Sequence, residues 1–171
     1  LPCPPPCRPR RPPLGPADFG DADGGRNRER GGAGHIIRTG LQLGSRVDAD
    51  DDAQMTVAAD GDDNDGEDDD DGIVITDTLR VDRDAAVEAT VALPDGMESA
   101  YLNIWIRADR VWGSARHVVV DEVVREGTND IVFHTPDFEP GNDAYVTVRL
   151  CSYPGVYLHG LAVDGEVEEY R

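Results

Sequence analysis

Lysine is missing from this sequence. All of its 16 basic side chains are arginines, set against 35 aspartates and glutamates, for a formal net charge of -19 over 171 residues. So little positive charge excludes nucleic acid as a partner, because displacing the counterions of a phosphate backbone takes clustered Lys and Arg. The chain should instead attract cations and repel itself unless salt or bound metal offsets the charge. Absent lysine with abundant aspartate fits two readings, a surface adapted to a saline habitat and a metal-binding surface. Long apolar runs are also lacking. No stretch approaches the ~20 residues that span a bilayer, so no membrane insertion is expected. Cysteine is scarce, with Cys3 and Cys7 in "LPCPPPCRPRRPP" and Cys151 in "VTVRLCSYPG". Without a nearby His or a second Cys pair at ligand spacing, zinc is not indicated. The three thiols are disulfide candidates, an odd count that implies one bond plus a free or intermolecular thiol; for Cys151 a small buried hydrophobe on a strand is the equal alternative. The first residue is Leu rather than Met, as expected of a chain whose leader has been removed for export.

What is present divides into three parts. Residues 1–16 hold eight of the 12 prolines, which favours polyproline II and excludes a packed core. This arm is expected to dock on a neighbouring subunit or partner. Residues 17–72 are rich in Gly and Asp, culminating in "GDDNDGEDDDDG" at 61–72, and read as a long irregular segment that needs a ligand to order it. Calcium suits it, since clustered Asp, Asn and carbonyl oxygens supply the six to eight hard ligands that the ion takes. From residue 73 onward the pattern is β: "IVIT" 73–76, "AAVEATVAL" 85–93, "YLNIWIR" 101–107, "HVVVDEVV" 117–124, "NDIVFH" 129–134 and "AYVTVRLC" 144–151. These segments are rich in β-branched and aromatic residues and bounded by the turn signals "PDG", "EGTND" and "EPGND", with no amphipathic helix between them. The expected fold is mainly β, an antiparallel jelly-roll-like sandwich over 17–171 with a proline-rich arm. Tyr101, Ile104, Trp105 and Ile106 are placed on a central strand.

"DFGDA" at 18–22, His35 in "GHII", the acidic run at 61–72, "YLNIWI" at 101–106 and "GLAVDGEVEEY" at 160–170 occur in the order found in the GEVED domain, which the chain resembles from about residue 15 to its end. The resemblance implies a module of secreted or surface-attached bacterial proteins and brings no enzyme activity with it. In many relatives the strand like "YLNIWI" runs into an Asp/Asn/Gly-rich loop that looks like a calcium site. Here the continuation is "RADRVWGSAR", where Arg107, Arg110 and Arg116 put positive charge in that place. These arginines are expected to make assembly contacts with carboxylates, which the guanidinium fork can bind in a bidentate manner.

The acidic run fails the EF-hand pattern, because the required glycine falls one place late at Gly66. An irregular calcium site is expected instead, built from Asp62, Asn64, Asp68 and Asp70, with Asp18 or Asp21, Asp48 or Asp50, and Asp164 and Glu166 of the closing motif. The alternative is a solvated acidic loop. Catalysis finds little support: His35, His117, His134 and His159 are scattered, no HExxH pair occurs, and Ser114 lies in no nucleophile-elbow motif. His35 reads as a hydrogen-bonded structural histidine, with metal ligation the alternative. The sequence therefore points to an extracellular or cell-surface structural module, stabilised by calcium, that self-associates or joins other extracellular proteins in a surface layer, adhesin or filament through strand edges and the arm. Two alternatives stand beside it: a carbohydrate or matrix binder using Trp112, Tyr153 and Tyr157 as stacking surfaces for a glycan, and a salt-adapted domain without specific metal.

Overall fold

A computed structural model describes residues 15–20, 32–49, 70–108, 115–137 and 144–171. Among these residues there is no helix, and the architecture is a mainly β sandwich. The strands are β1 (Ala17–Phe19), β2 (Ala33–Ile36), β3 (Gln42–Leu43), β4 (Ile73–Ile75), β5 (Asp84–Ala92), β6 (Ala100–Ala108), β7 (Arg116–Val124), β8 (Gly127–His134), β9 (Ala144–Cys151), β10 (Gly160–Ala162) and β11 (Glu166–Tyr170).

Alternation along β5 shows why the sandwich forms. Ala85, Val87, Ala89 and Val91 turn inward and are buried, while Asp84 and Thr90 face outward. β5 pairs antiparallel with β8 along one side and with β3 and β4 along the other. Facing it is an antiparallel sheet in the order β11-β9-β6-β7. Leu102, Ile104 and Ile106 of β6 and Val146, Val148 and Leu150 of β9 meet the β5 side chains in one apolar core. With about 25 cal/mol for each Å² of apolar surface removed from water, this shared core supplies the main driving force.

The outer faces of β6 and β9 are buried too, because a third, smaller sheet in the order β1-β2-β10 and the segment after β9 lie over them. Its β2–β10 pairing is parallel. Trp105 points into this outer layer with Cys151, Val156 and Ala162, away from Ile104 and Ile106. β6 is central, between β9 and β7, as its composition leads one to expect. Among the described residues of 17–72, a segment read from composition as irregular, three short strands form. β1 and β2 pair with each other, and β3 adds to β5.

Candidate functional site

The closing motif "DGEVEEY" becomes β11, a strand that among the described residues pairs on one side only, with β9. Its glycine is required: Gly165 has φ +107°, and a Cβ there would run into the carbonyl oxygen of Leu150 and lie 2.9 Å from Nδ1 of His35. Glu166, Glu168 and Glu169 follow, all buried. Burying a carboxylate is costly unless hydrogen bonds replace its water, and here main-chain amides of the N-terminal half do so. Glu166 Oε2 accepts from the amide of Leu43. Glu168 Oε1 accepts from the amide of Gly72 at 2.8 Å, and its Oε2 accepts from the Tyr170 hydroxyl at 2.8 Å. That hydroxyl in turn accepts from the amide of Ile73 at 3.2 Å. Burial, and then the negative charges of Glu168 and Asp70, push the Tyr170 phenol far above its ordinary range.

The traffic also runs the other way. The amide of Val167 donates to Asp18 Oδ2 at 2.7 Å and that of Glu169 to Asp70 Oδ1 at 3.1 Å. Two aspartates thus cap the amides that β11 presents away from β9, which would otherwise be an open strand edge. The end of the acidic run is docked as well: Asp71 accepts from the amide of Ser45 at 2.9 Å and from its hydroxyl at 2.5 Å. Asp70 and Asp71 are therefore fixed in place by amides and a hydroxyl.

A second buried centre ties the small sheet to the sandwich. His35 is fully buried, and its Nδ1 donates to the carbonyl of Asp164 at 2.8 Å while Nε2 accepts from Arg149 Nε at 2.8 Å. Burial, reinforced by the adjacent guanidinium, holds the imidazole well below its ordinary pKa, so the ring is neutral. Arg149 also donates to the carbonyls of Gly34 at 2.7 Å, Gly160 at 3.0 Å and Tyr157, joining β2, β10 and the intervening segment. The Asp164 carboxylate accepts from the amide and hydroxyl of Ser152 at 3.1 and 2.6 Å and from Arg38 at 3.1 Å. Cys151 is a buried free thiol 3.8 Å from His35, pushed up to about 12 chiefly by burial, which makes it inert as a nucleophile.

On the other flank, Asn103 Oδ1 accepts from His117 Nε2 at 2.8 Å and from the amide of Asp121 at 2.9 Å. Its Nδ2 donates to Asp121 Oδ1 at 3.1 Å, an oxygen that also accepts from the amide of Gly155. His117 stacks on Trp105 with ring centroids 4.2 Å apart. Asp121 has φ +51°, close to the register shift of β7 against β6, so the outer edge of that sheet carries an irregularity that twists it.

The expected site residues are placed as follows. Asp18 and Asp70 meet β11 and Glu166 lies on it, each already holding a main-chain amide. Asp164 belongs to the His35 centre, and Asp48 lies beyond β3. Asp21, Asp50, Asp62, Asn64 and Asp68 are outside the described residues. Among the described residues no three His, Cys, Asp or Glu side chains are grouped to hold a metal. Arg107 is buried, with its guanidinium 4.4 Å from the Tyr145 ring centroid, whereas Arg116 is exposed at the start of β7. Arg110, Trp112, Cys3 and Cys7 lie outside the described residues. Tyr153 is half-buried, with its hydroxyl accepting from the amide of Val163 at 3.4 Å, and Tyr157 is 82% exposed. Reasoning from the sequence missed Arg149, Asn103, Glu168 and Glu169. The available signal was their position on strands between apolar residues, where a polar side chain is either outward or inside a network. No family model, curated protein or solved structure matches this chain.

Proposed function

We propose that this chain is a non-catalytic structural module of an extracellular or cell-surface assembly. The observation that carries this reading is the use of the closing motif. Its three buried glutamates and the two aspartates opposite them hold main-chain amides and hydroxyls rather than facing a cleft, so the most concentrated polar chemistry of the described fold serves to fasten its halves. Association then falls to the surface. Val120 and Val123 on β7 and Val132 on β8 are exposed at the outer strands of the two sheets, and residues 1–16 add a proline-rich arm. Calcium enters this proposal through Asp21, Asp50, Asp62, Asn64 and Asp68 of the acidic segments, as an ion that neutralises them.

Sedimentation velocity of the full chain over a wide concentration range tests the reading. Assembly that grows with concentration and is lost on deletion of residues 1–16 is expected. A chain that stays monomeric at every concentration, with and without calcium, overturns it. The exposed Tyr157 favours the glycan-binding alternative, and binding on a glycan array that Tyr157→Ala abolishes would replace the first reading with that one.

A further inference from the structure

We infer that the outer face of the β4-β5-β8 sheet is the docking surface for residues 1–14 of a second copy of this chain. The inference rests on the assembly proposed above and names the surface it uses.

Two features of that face call for a partner. Val74 on β4 is 56% exposed and Val132 on β8 is 70% exposed, and Ala86 of β5 stands beside them, since it pairs with Val132 and its neighbour on the same face, Glu88, pairs with Val74. This makes an apolar strip across three strands. Beside the strip, Glu88 and Asp130 are directly opposite in the β5–β8 register, which puts two carboxylates about 5 Å apart at their Cβ atoms, an arrangement that destabilises a sheet. Among the described residues neither carboxylate is paired with a guanidinium, and no arginine stands on the outward face of β4, β5 or β8. The face is therefore apolar and anionic at once.

A complementary ligand is apolar and cationic, and the sequence contains one. Residues 1–16 hold Leu1, Leu14 and eight prolines together with Arg8, Arg10 and Arg11, and no Asp or Glu. Nowhere else in this chain does a group of arginines stand so free of acidic neighbours; Arg26, Arg28 and Arg30 are interleaved with Glu29 and preceded by Asp21 and Asp23. A guanidinium between Glu88 and Asp130 would relieve their repulsion, and proline rings would cover Val74 and Val132. Face-to-face pairing of two such surfaces is disfavoured because it would set carboxylates against carboxylates.

Where the arm leaves the fold decides between its own face and a second copy's. Gly15 lies against Ile36 at the end of β2, in the small sheet. That sheet sits on the outer side of the β11-β9-β6-β7 sheet, through Arg149 and His35, whereas the Val74–Val132 face is on the far side of the opposite sheet. Gly15 and the acceptor face thus lie on opposite sides of a stack of three layers spaced at roughly 10 Å. Donation to the next copy gives a heterologous, head-to-tail contact, which passes from copy to copy rather than ending at a two-fold dimer.

Charge reversal on the full-length chain tests this. One variant carries Glu88→Arg and Asp130→Arg, the other Arg8→Glu, Arg10→Glu and Arg11→Glu; the face positions are at least partly exposed, and circular dichroism with thermal unfolding verifies that both variants fold. Each alone should sediment as a monomer, and an equimolar mixture should restore assembly, because the wild-type arm of one variant then meets the wild-type face of the other while the reversed arm meets the reversed face. A labelled peptide of residues 1–14 should bind the wild-type chain and lose about tenfold or more in affinity for the face variant. Continued assembly of the face variant at wild-type strength, or a mixture that stays monomeric, overturns the docking surface while the assembly reading stands. A wild-type chain that never assembles and does not bind the peptide overturns both.

Discussion

Truncating Glu168 is the sharpest perturbation of the fastened halves. Its carboxylate is buried and holds the Gly72 amide and the Tyr170 hydroxyl, each at 2.8 Å. In Glu168→Ala both donors lose their acceptor, at about 1–3 kcal/mol apiece for a buried group. The removed methylenes leave a further gap in packing. A loss of about 3–5 kcal/mol follows, a large share of the roughly 5–15 kcal/mol that holds a domain folded, and for a chain of this size it lowers Tm by roughly 6–20 °C.

Glu168→Gln keeps the shape and one acceptor oxygen for the Gly72 amide, while Tyr170 turns to accept instead of donate, so its loss should be about 1 kcal/mol. Urea unfolding followed by circular dichroism gives both free energies, with an unchanged m-value needed for the comparison. Hydrogen exchange adds what the global signal lacks. The Gly72 amide should be protected in the wild type and exchange quickly in Glu168→Ala, because the segment from 70 to 75 is held to β11 mainly through this residue, Tyr170 and Asp70. If Glu168→Ala stays within about 0.5 kcal/mol of the wild type, as an ordinary surface substitution does, the carboxylate does not fasten the two halves.

Gly165→Ala should cost about 3 kcal/mol or more, since φ of +107° is strained for any side chain and the new methyl meets Leu150 and His35; denaturant unfolding measures it. His134 holds Asp84 and Asp82 through its two ring nitrogens at 2.9 and 3.0 Å, and these hydrogen bonds, Asp84 first, raise its pKa above 6.5. Its contribution is therefore complete below pH 6.5 and is lost as pH rises through the raised value; NMR titration should show the elevated pKa, and Asp84→Asn should bring it down. Tyr170 has the same sign at higher pH. Its phenol stays neutral in the fold, so stability should fall as pH rises above about 10, and the tyrosinate absorbance of this residue should appear only with unfolding. Millimolar calcium should raise Tm above the value in EDTA at matched ionic strength, with magnesium weaker; an equal Tm in both would make residues 61–69 solvent-facing charge.

The long strands were legible because alternation and turn chemistry coincide there. The segments read at 85–93, 101–107 and 144–151 correspond to β5, β6 and β9 within a residue at each end. β1, β2 and β3 were not, for a physical reason: "ADF", "AGHI" and "QL" are too short to carry a period, and their partners are distant, as where β2 pairs with β10 some 127 residues on. The carboxylates were legible as a concentration of charge but not as a fastening, because the donors that hold Glu166 and Glu168 are amides of Leu43 and Gly72, and an amide leaves no trace in the sequence. Arg149 was hidden by the same alternation that placed Val146 and Val148 in the core. It assigns Thr147, Arg149 and Cys151 to an outward face, which the third sheet then buries.

Salt separates the two kinds of electrostatics in this chain by sign. With a net charge of -19 the folded module repels itself over its surface, and ions at 0.15 M screen that repulsion beyond about 8 Å. The internal fastenings are different, because Glu166, Glu168 and Asp18 are buried and hold amides, and Arg149 is buried against carbonyls, so screening hardly reaches them. Raising sodium chloride should accordingly raise Tm of the single module. The docking of arginines on Glu88 and Asp130 is a contact at the surface, with Asp130 exposed and Glu88 partly so, and the same salt should weaken it. Thermal unfolding at low concentration and sedimentation at high concentration, run over one salt series, should therefore move in opposite directions. Parallel movement would mean that the charges joining the copies are as buried as those inside each one, which a face with Asp130 exposed does not allow.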